Sequence, residues 1–407
     1  MKNLASICFA AVLAGSSSNC SIAQAATIKA ASTSQADVQA AVRAARNGDT
    51  VVLPAGDSTW RGTVTITKNI TLQGQGINST FLREHLQLLI LSPAVNAPIR
   101  ITGIYFDGSP FGQVSGEPTN RVGIAIYKTC TQLRIDNCYF NNWNPSIHYS
   151  GKIYGVTDHC TFHNGYVELQ FSQDLGDFGA ADWRTPIHPG GLDTMVVEDC
   201  TFLVDVPGTK SDFIENRIYG QAGGRACIRH NTFTFKSALP MIFDAHGESP
   251  NNGNAWGHST HFYEVYNNTF NCKYTYRFWN LRGGIHIFHD NAFNISGSQS
   301  EPLFMGVLRE DVGYPSGSGA TQELIEKSFA WNNTYNGSPI AKSFANDGST
   351  NTEPVENVDF FNRPIHSGDP WYPYTPLTYP HPLTSGKPVA SGPSHKARPF
   401  TAPRGHD

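Results

Sequence analysis

One short pattern recurs seven times in this chain and restricts the fold more than any other feature. Each copy is a β-branched or aromatic strand, a turn residue, and a short strand ending in an aromatic ring. The copies are IDNCYF (Ile135 to Phe140), TDHCTF (Thr157 to Phe162), VEDCTF (Val197 to Phe202), IRHNTF (Ile228 to Phe233), VYNNTF (Val265 to Phe270), FHDNAF (Phe288 to Phe293) and AWNNTY (Ala330 to Tyr335). Aligned on the fourth residue, they place Cys138, Cys160, Cys200, Asn231, Asn268, Asn291 and Asn333 in one column, at spacings of 22, 40, 31, 37, 23 and 42 residues. A floor near 22 with variable excess fits one coil of a β-solenoid carrying loops of different length. Ile101 to Phe106 (ITGIYF) is an earlier, degenerate copy. Coils of a parallel solenoid stack at about 4.8 Å, so each position becomes a column. Asn in that column tolerates a left-handed bend and can bond the amides above and below it. The three cysteines are expected to be stacked buried thiols, with a disulfide between neighbouring coils as the alternative.

Composition agrees with an all-β chain. The 407 residues include 38 glycines and 25 prolines, which favour turns over long helices, and only 15% are charged, against roughly 25% in an ordinary soluble domain. The net charge of −4 argues against a nucleic-acid partner, which would call for a basic stripe. Lys2, the apolar run Leu4 to Ala14 and Ala23-Gln24-Ala25 read as a signal peptide over residues 1–25, too short to span a bilayer needing about 20 apolar residues. A secreted protein (periplasmic or extracellular), with no membrane partner and monomeric, is the expectation. The six cysteines left after residue 25 include no C-x-x-C pair, so no zinc site is expected.

The ends differ in texture. Ser34 to Asn47 reads as an amphipathic helix with Val38, Ala41, Val42 and Ala45 on one face, placed to cap the first coil and hide its open edge. Residues 364–407 contain ten prolines and cannot be regular sheet. A Pro-rich tail packed over the last coil is expected there, after a solenoid domain within residues 26–363.

The opening AAVRAARNGDTVVLPAG…VTITKNITLQGQG (Ala40 to Gly76) resembles the first coils of the right-handed parallel β-helix, pectin-lyase-like superfamily, and the recurring columns continue the resemblance over about residues 30–345. YTPLTYPHPL is similar to the ending of uncharacterised exported bacterial β-helix proteins. The resemblance implies a single-stranded, right-handed parallel β-helix with an N-terminal capping helix. That superfamily includes lyases, hydrolases, esterases, tailspikes and adhesins, so the fold does not fix the activity. VTDHCTF (Val156 to Phe162) is similar to the W-I-D-H segment of pectate lyases, with Val and Thr in place of Trp and Ile. Their R-x-P-x-x-R pattern is approached only by Trp183-Arg184-Thr185-Pro186, and the motif series of polygalacturonases is absent. No catalytic residue carries over from either class.

In such a coil the third strand lines the long groove. The groove strands are expected within Ser146 to Gly151, Val167 to Ser172, Asp212 to Gly220, Leu239 to Gly247, Tyr276 to Gly283 and Pro302 to Asp311. Aligning the endings NRIYG, DAHG, NLRG and VLRE stacks Tyr219, His246, Arg282 and Arg309 on successive coils, with the glycines leaving room for substrate. Arginine neutralises a carboxylate, and histidine or tyrosine exchanges a proton, which is the equipment of β-elimination on an acidic polysaccharide. Asp244 joins this catalytic set. His148, Tyr149, Glu215, Trp256, Trp279 and Glu310 are the candidate substrate-binding residues. Asp174, Asp177 and Asp182, in a long insertion, are the one place that suggests a cofactor, Ca²⁺, and no metal ligand is assigned. The leading expectation is a polysaccharide lyase acting on a uronic-acid-containing glycan. A glycoside hydrolase with paired carboxylates and a non-catalytic carbohydrate-binding surface protein are the alternatives.

Overall fold

A computed structural model describes residues 24–78, 80–83, 87–108, 121–173, 186–205, 217–236, 242–247, 259–273, 278–297, 305–307, 325–345 and 354–385. Its strands form three long sheets, A with 12 strands, B with 11 and C with nine. Each coil contributes one strand to each, as in Arg225–Arg229 to A, Thr232–Phe235 to B and Phe243–Ala245 to C. All ladders are parallel except the last pair of sheet B, Thr334–Tyr335 with Ser338–Pro339. Sheet A runs from Thr27–Lys29 to Phe360–Phe361, a little beyond each end of the expected span.

The bend between A and B explains the repeat. Asn137, His159, Asp199, His230, Asn267, Asp290 and Asn332 all have φ between 52° and 55°. Asn, Asp and His are the non-glycine residues that best tolerate this region. The left-handed residue is therefore the third of the motif, and the fourth turns inward. There the expected amide column forms. The Asn231 side chain donates to Asn268 Oδ1, Asn268 to Asn291 and Asn291 to Asn333, each over 3.0 Å. Cys138, Cys160 and Cys200 continue the column as free, buried thiols. Cys200 Sγ lies 3.6 Å from the Thr157 carbonyl, much as Asn231 Nδ2 lies 2.9 Å from that of Val197. Two positions on, Phe106, Phe140, Phe162, Phe202, Phe233, Phe270 and Phe293 stack with centroids 4.4–5.2 Å apart. Each additional coil thus buries an aromatic ring at a favourable offset.

The helix is Gln35–Ala44, capped by Ser34 Oγ, which accepts from the Asp37 N–H. It is shorter than its apolar pattern because Ala45 is already extended and Asp49 takes the Arg46 N–H. Gln39 exchanges two hydrogen bonds with Thr65 of the first sheet C strand. No helix among the described residues is long and apolar enough to cross a membrane; residues 1–23 of the expected signal peptide, residues 1–25, lie outside them.

The tail departs from expectation. Rather than closing the last coil, residues 364–385 run back along the outer face of sheet A. Ile365, Trp371 and Tyr374 cover Phe262, Ile285 and Ile287, and Leu377 and Leu383 cover Val156, Val196 and Cys227. The reason is polar as much as apolar. Arg229 pairs with buried Glu198 and donates to the Leu377 and Thr378 carbonyls, and Arg134 reaches those of Leu383 and Thr384.

Candidate active site on sheet C

Sheet C contains the expected groove strands, Ile147–Tyr149, Leu169–Phe171, Ile218–Gly220, Phe243–Ala245, Trp279–Leu281 and Met305–Val307. Their register corrects the expected column. Tyr219 pairs with Asp244, and Asp244 with Asn280. Gly220 faces Ala245, not Gly247, so the glycine-based alignment was two residues out for Tyr219. His148, Gln170, Tyr219, Asp244 and Asn280 therefore share one outward row. His246 and Arg282 follow two residues later, on the rungs next to Gln221. The glycines serve the backbone rather than substrate access. A Cβ on Gly247 would sit 2.0 Å from the Arg282 carbonyl oxygen, and one on Gly220 2.2 Å from the Tyr263 hydroxyl.

Despite the shift, four of the five expected catalytic residues meet. Arg282 Nη2 donates to both Asp244 oxygens, over 2.8 and 2.9 Å, and Nε adds a third contact at 3.2 Å. His246 Nε2 is 3.1 Å from Asp244 Oδ2. The Tyr219 ring stands edge-on to the His246 ring at 4.8 Å, and its hydroxyl donates to Gln221 Oε1 over 2.6 Å. Asp244 is 1% exposed. Burial alone would raise its pKa, but the charges of His246 and Arg282 and their hydrogen bonds override that and hold it at about 2. The arrangement is a buried, ionised carboxylate whose guanidinium and imidazole partners reach the surface.

That pairing changes the character of Arg282. The sequence suggests an outward side chain of no consequence for folding, whereas only 15% of it is exposed and it neutralises a buried charge. Asn280 and Gln221, overlooked in the sequence, complete the surroundings; Asn280 Nδ2 approaches Asp244 Oδ1 at 3.4 Å. Alignment on the inward residues Ile218, Phe243 and Trp279 would have found both.

The expected binding residues separate. Tyr149 and Trp279 are fully buried, since both occupy the inward phase of their strands. Tyr149 stacks on Phe171 and bonds Thr157 Oγ1, and Trp279 packs on Phe243 and Phe288. Neither can touch substrate. His148 faces outward, two rungs from Tyr219, edge-on to Tyr127. Its Nε2 is shielded and has no partner, and burial lowers its pKa to about 4, so the ring is neutral near pH 7. Arg309, Glu215, Trp256, Glu310 and the Asp174, Asp177 and Asp182 insertion lie outside the described residues.

No protein-family model and no curated protein matches the chain. Among solved structures it is similar to the alginate lyase from Paenibacillus sp. str. FPU-7, at 12% identity and a TM-score of 0.45, over 77% of this chain and 96% of that one. It is also similar to the PL6 family alginate lyase AlyGC, at 14% and 0.38, over 77% of this chain and 40% of that one. A third likeness is to the Agl-KA catalytic domain, at 14% and 0.30, over 76% and 64%. The chain thus spans less than two thirds of the latter two. Its own three sheets, stacked coil upon coil in parallel register, identify it as a right-handed parallel β-helix.

Proposed function

We propose that this protein is a polysaccharide lyase that cleaves a uronic-acid-containing glycan by β-elimination on the outer face of sheet C. The observation that carries the reading is the buried carboxylate of Asp244, which grips both Arg282 and His246. β-Elimination removes the proton α to a uronate carboxylate, breaks the bond to the glycosidic oxygen and leaves a carbon–carbon double bond. That proton becomes acidic only when the carboxylate charge is neutralised, a task for which a guanidinium is suited. Arg282 meets Asp244 through Nε and Nη2, and its guanidinium is the group that would neutralise the substrate carboxylate. Asp244 is a positioning residue. It holds His246 by Nε2, and the His246 imidazole is the group that exchanges a proton with substrate. Tyr219, against the His246 ring, is the second proton-exchanging group. His148 and Gln170 extend the same row as binding positions for the polymer.

A hydrolase would need two accessible carboxylates, one of them a proton-donating acid of raised pKa. Asp244, buried and held ionised, has the properties of an anchor instead. Export to the periplasm or medium, the site of such polymers, belongs to the same proposal. The test is incubation with pectate, alginate, glucuronan and neutral glycans, following the ultraviolet absorbance of unsaturated uronate ends together with reducing sugar. Both signals should rise on at least one acidic polymer. Reducing sugar without absorbance would make it a hydrolase, and neither signal would make it a binding protein.

A further inference from the structure

His246 and Tyr219 can both exchange a proton, and unlike neighbours separate their roles. Along sheet C an outward side chain meets the one two residues later, which strand geometry places on the same face. Gln170 Nε2 donates to Ser172 Oγ over 3.3 Å, the Tyr219 hydroxyl donates to Gln221 Oε1 over 2.6 Å, and His246 Nε2 lies 3.1 Å from Asp244 Oδ2. A carboxylate thus stands behind His246 and an amide behind Tyr219. Gln221 is firmly mounted. It is 3% exposed, its N–H donates to the Phe171 carbonyl over 3.0 Å, and its carbonyl accepts from the Gly224 N–H over 2.9 Å. Ala222 and Gly223 follow with left-handed φ of 44° and 76°, closing a tight turn that fixes where the amide can point. The Tyr219 ring packs against Tyr166 and Val167, so phenol and acceptor are both held.

A carboxylate beside an imidazole balances the positive charge that the ring gains on taking a proton. An amide oxygen accepts a hydrogen bond but is too weak a base to take the proton, so a phenol bonded to it stays protonated. Paired groups in unlike surroundings divide acid from base in this way. We propose that His246 is the base, Tyr219 the acid, and Gln221 the positioning residue that holds the Tyr219 hydroxyl and its proton in place, an assignment that rests on the elimination proposed for sheet C. His246 takes the α proton, and the electron pair left behind becomes the carbon–carbon double bond as the bond to the glycosidic oxygen breaks. That oxygen leaves with the bonding pair and takes the Tyr219 proton, replacing Gln221 Oε1 as its acceptor. The proton on His246 then returns to the Tyr219 oxygen, which restores both groups.

Kinetics on the polymer that the parent cleaves decide it. Gln221→Met keeps the side chain's length and removes the acceptor, and it should lower kcat about tenfold with KM within about twofold of the parent's. In a Tyr219→Phe background the same substitution should cost nothing further. Equal losses in both backgrounds would make Gln221 a packing residue and overturn the assignment. Gln221→Glu supplies a reading independent of turnover. A carboxylate facing the phenol should move the ionisation of Tyr219 upward by at least about one pH unit, followed as the ultraviolet difference from the corresponding Tyr219→Phe chain. An unmoved titration would show that the two side chains do not meet, and would overturn the proposal. A parent that releases no unsaturated ends from any polymer would overturn the elimination reading and this assignment with it. Unsaturated ends together with equal losses in the two backgrounds would overturn this assignment alone.

Discussion

The Arg282 guanidinium closes on the carboxylate of Asp244, one coil earlier, with Nη2 2.8 Å from Oδ1 and 2.9 Å from Oδ2. The pair does two jobs, and they can be separated. Arg282→Ala should lower turnover on the cleaved polymer by a factor on the order of 10² to 10³, as losing one electrostatic donor does. It should also destabilise the fold by about 3–5 kcal/mol, because a buried charge loses its partner. In Asp244→Ala/Arg282→Ala much of that stability should return while activity does not. Denaturant melts of the three variants beside their rates measure both. Additive stability losses would mean that the two side chains do not interact.

Asp244 makes stability depend on acid. Its pKa lies at about 2 in the folded chain, below its ordinary value near 3.9, so its contribution is complete above about pH 4 and disappears as pH falls through 2. The depression corresponds to about 2 kcal/mol. Asp244→Asn should therefore melt lower than the parent near pH 7, and the gap should narrow as pH falls from about 4 to 2. A gap that stays constant with pH would show that the carboxylate is not held ionised.

The inward column should be strongly stabilising where it is amide and chemically silent where it is thiol. Asn268 both donates to and accepts from its neighbours while fully buried. Asn268→Ala should cost at least about 1–3 kcal/mol for each buried partner left unmatched. Cys138 and Cys160 are buried, which raises their pKa well above that of a free thiol. A thiol reagent should modify all six described cysteines only after denaturation. Rapid labelling of the native protein would contradict the packing.

Arg229 links the tail to the solenoid through Glu198, Leu377 and Thr378. Arg229→Ala should cost about 3–5 kcal/mol, because Glu198 is left buried and unpaired. Limited proteolysis should then cut within residues 364–385 before any coil is lost. Cleavage at the same rate as in the parent would show that the tail is held by other contacts.

The solenoid could be read in the sequence because each coil repeats the same physical demand. The bend needs a left-handed residue, and the next two inward positions need a polar group and then a ring. That demand recurs from Asn137 to Asn332. The register of sheet C was less legible. Its strands are three residues long, too short for alternation to set the phase, and Gly220 and Gly247 look alike in sequence while answering different close contacts. Tyr149 and Trp279 illustrate the same ambiguity, since aromatic side chains suit a sugar-binding face and a core equally well. The tail's course along sheet A depended on Arg134 and Arg229, more than 140 residues earlier in the chain, and nothing local announces such a contact.

The central claim is elimination in the sheet C groove, and one paired measurement tests it most directly. Parent and Arg282→Ala are incubated with each uronic-acid polymer while unsaturated ends and reducing ends are counted together. The account predicts equal numbers of both kinds of end from the parent on at least one polymer, and a loss of both on the order of 10² or more in Arg282→Ala. Reducing ends without unsaturation, or a variant as fast as its parent, would contradict it.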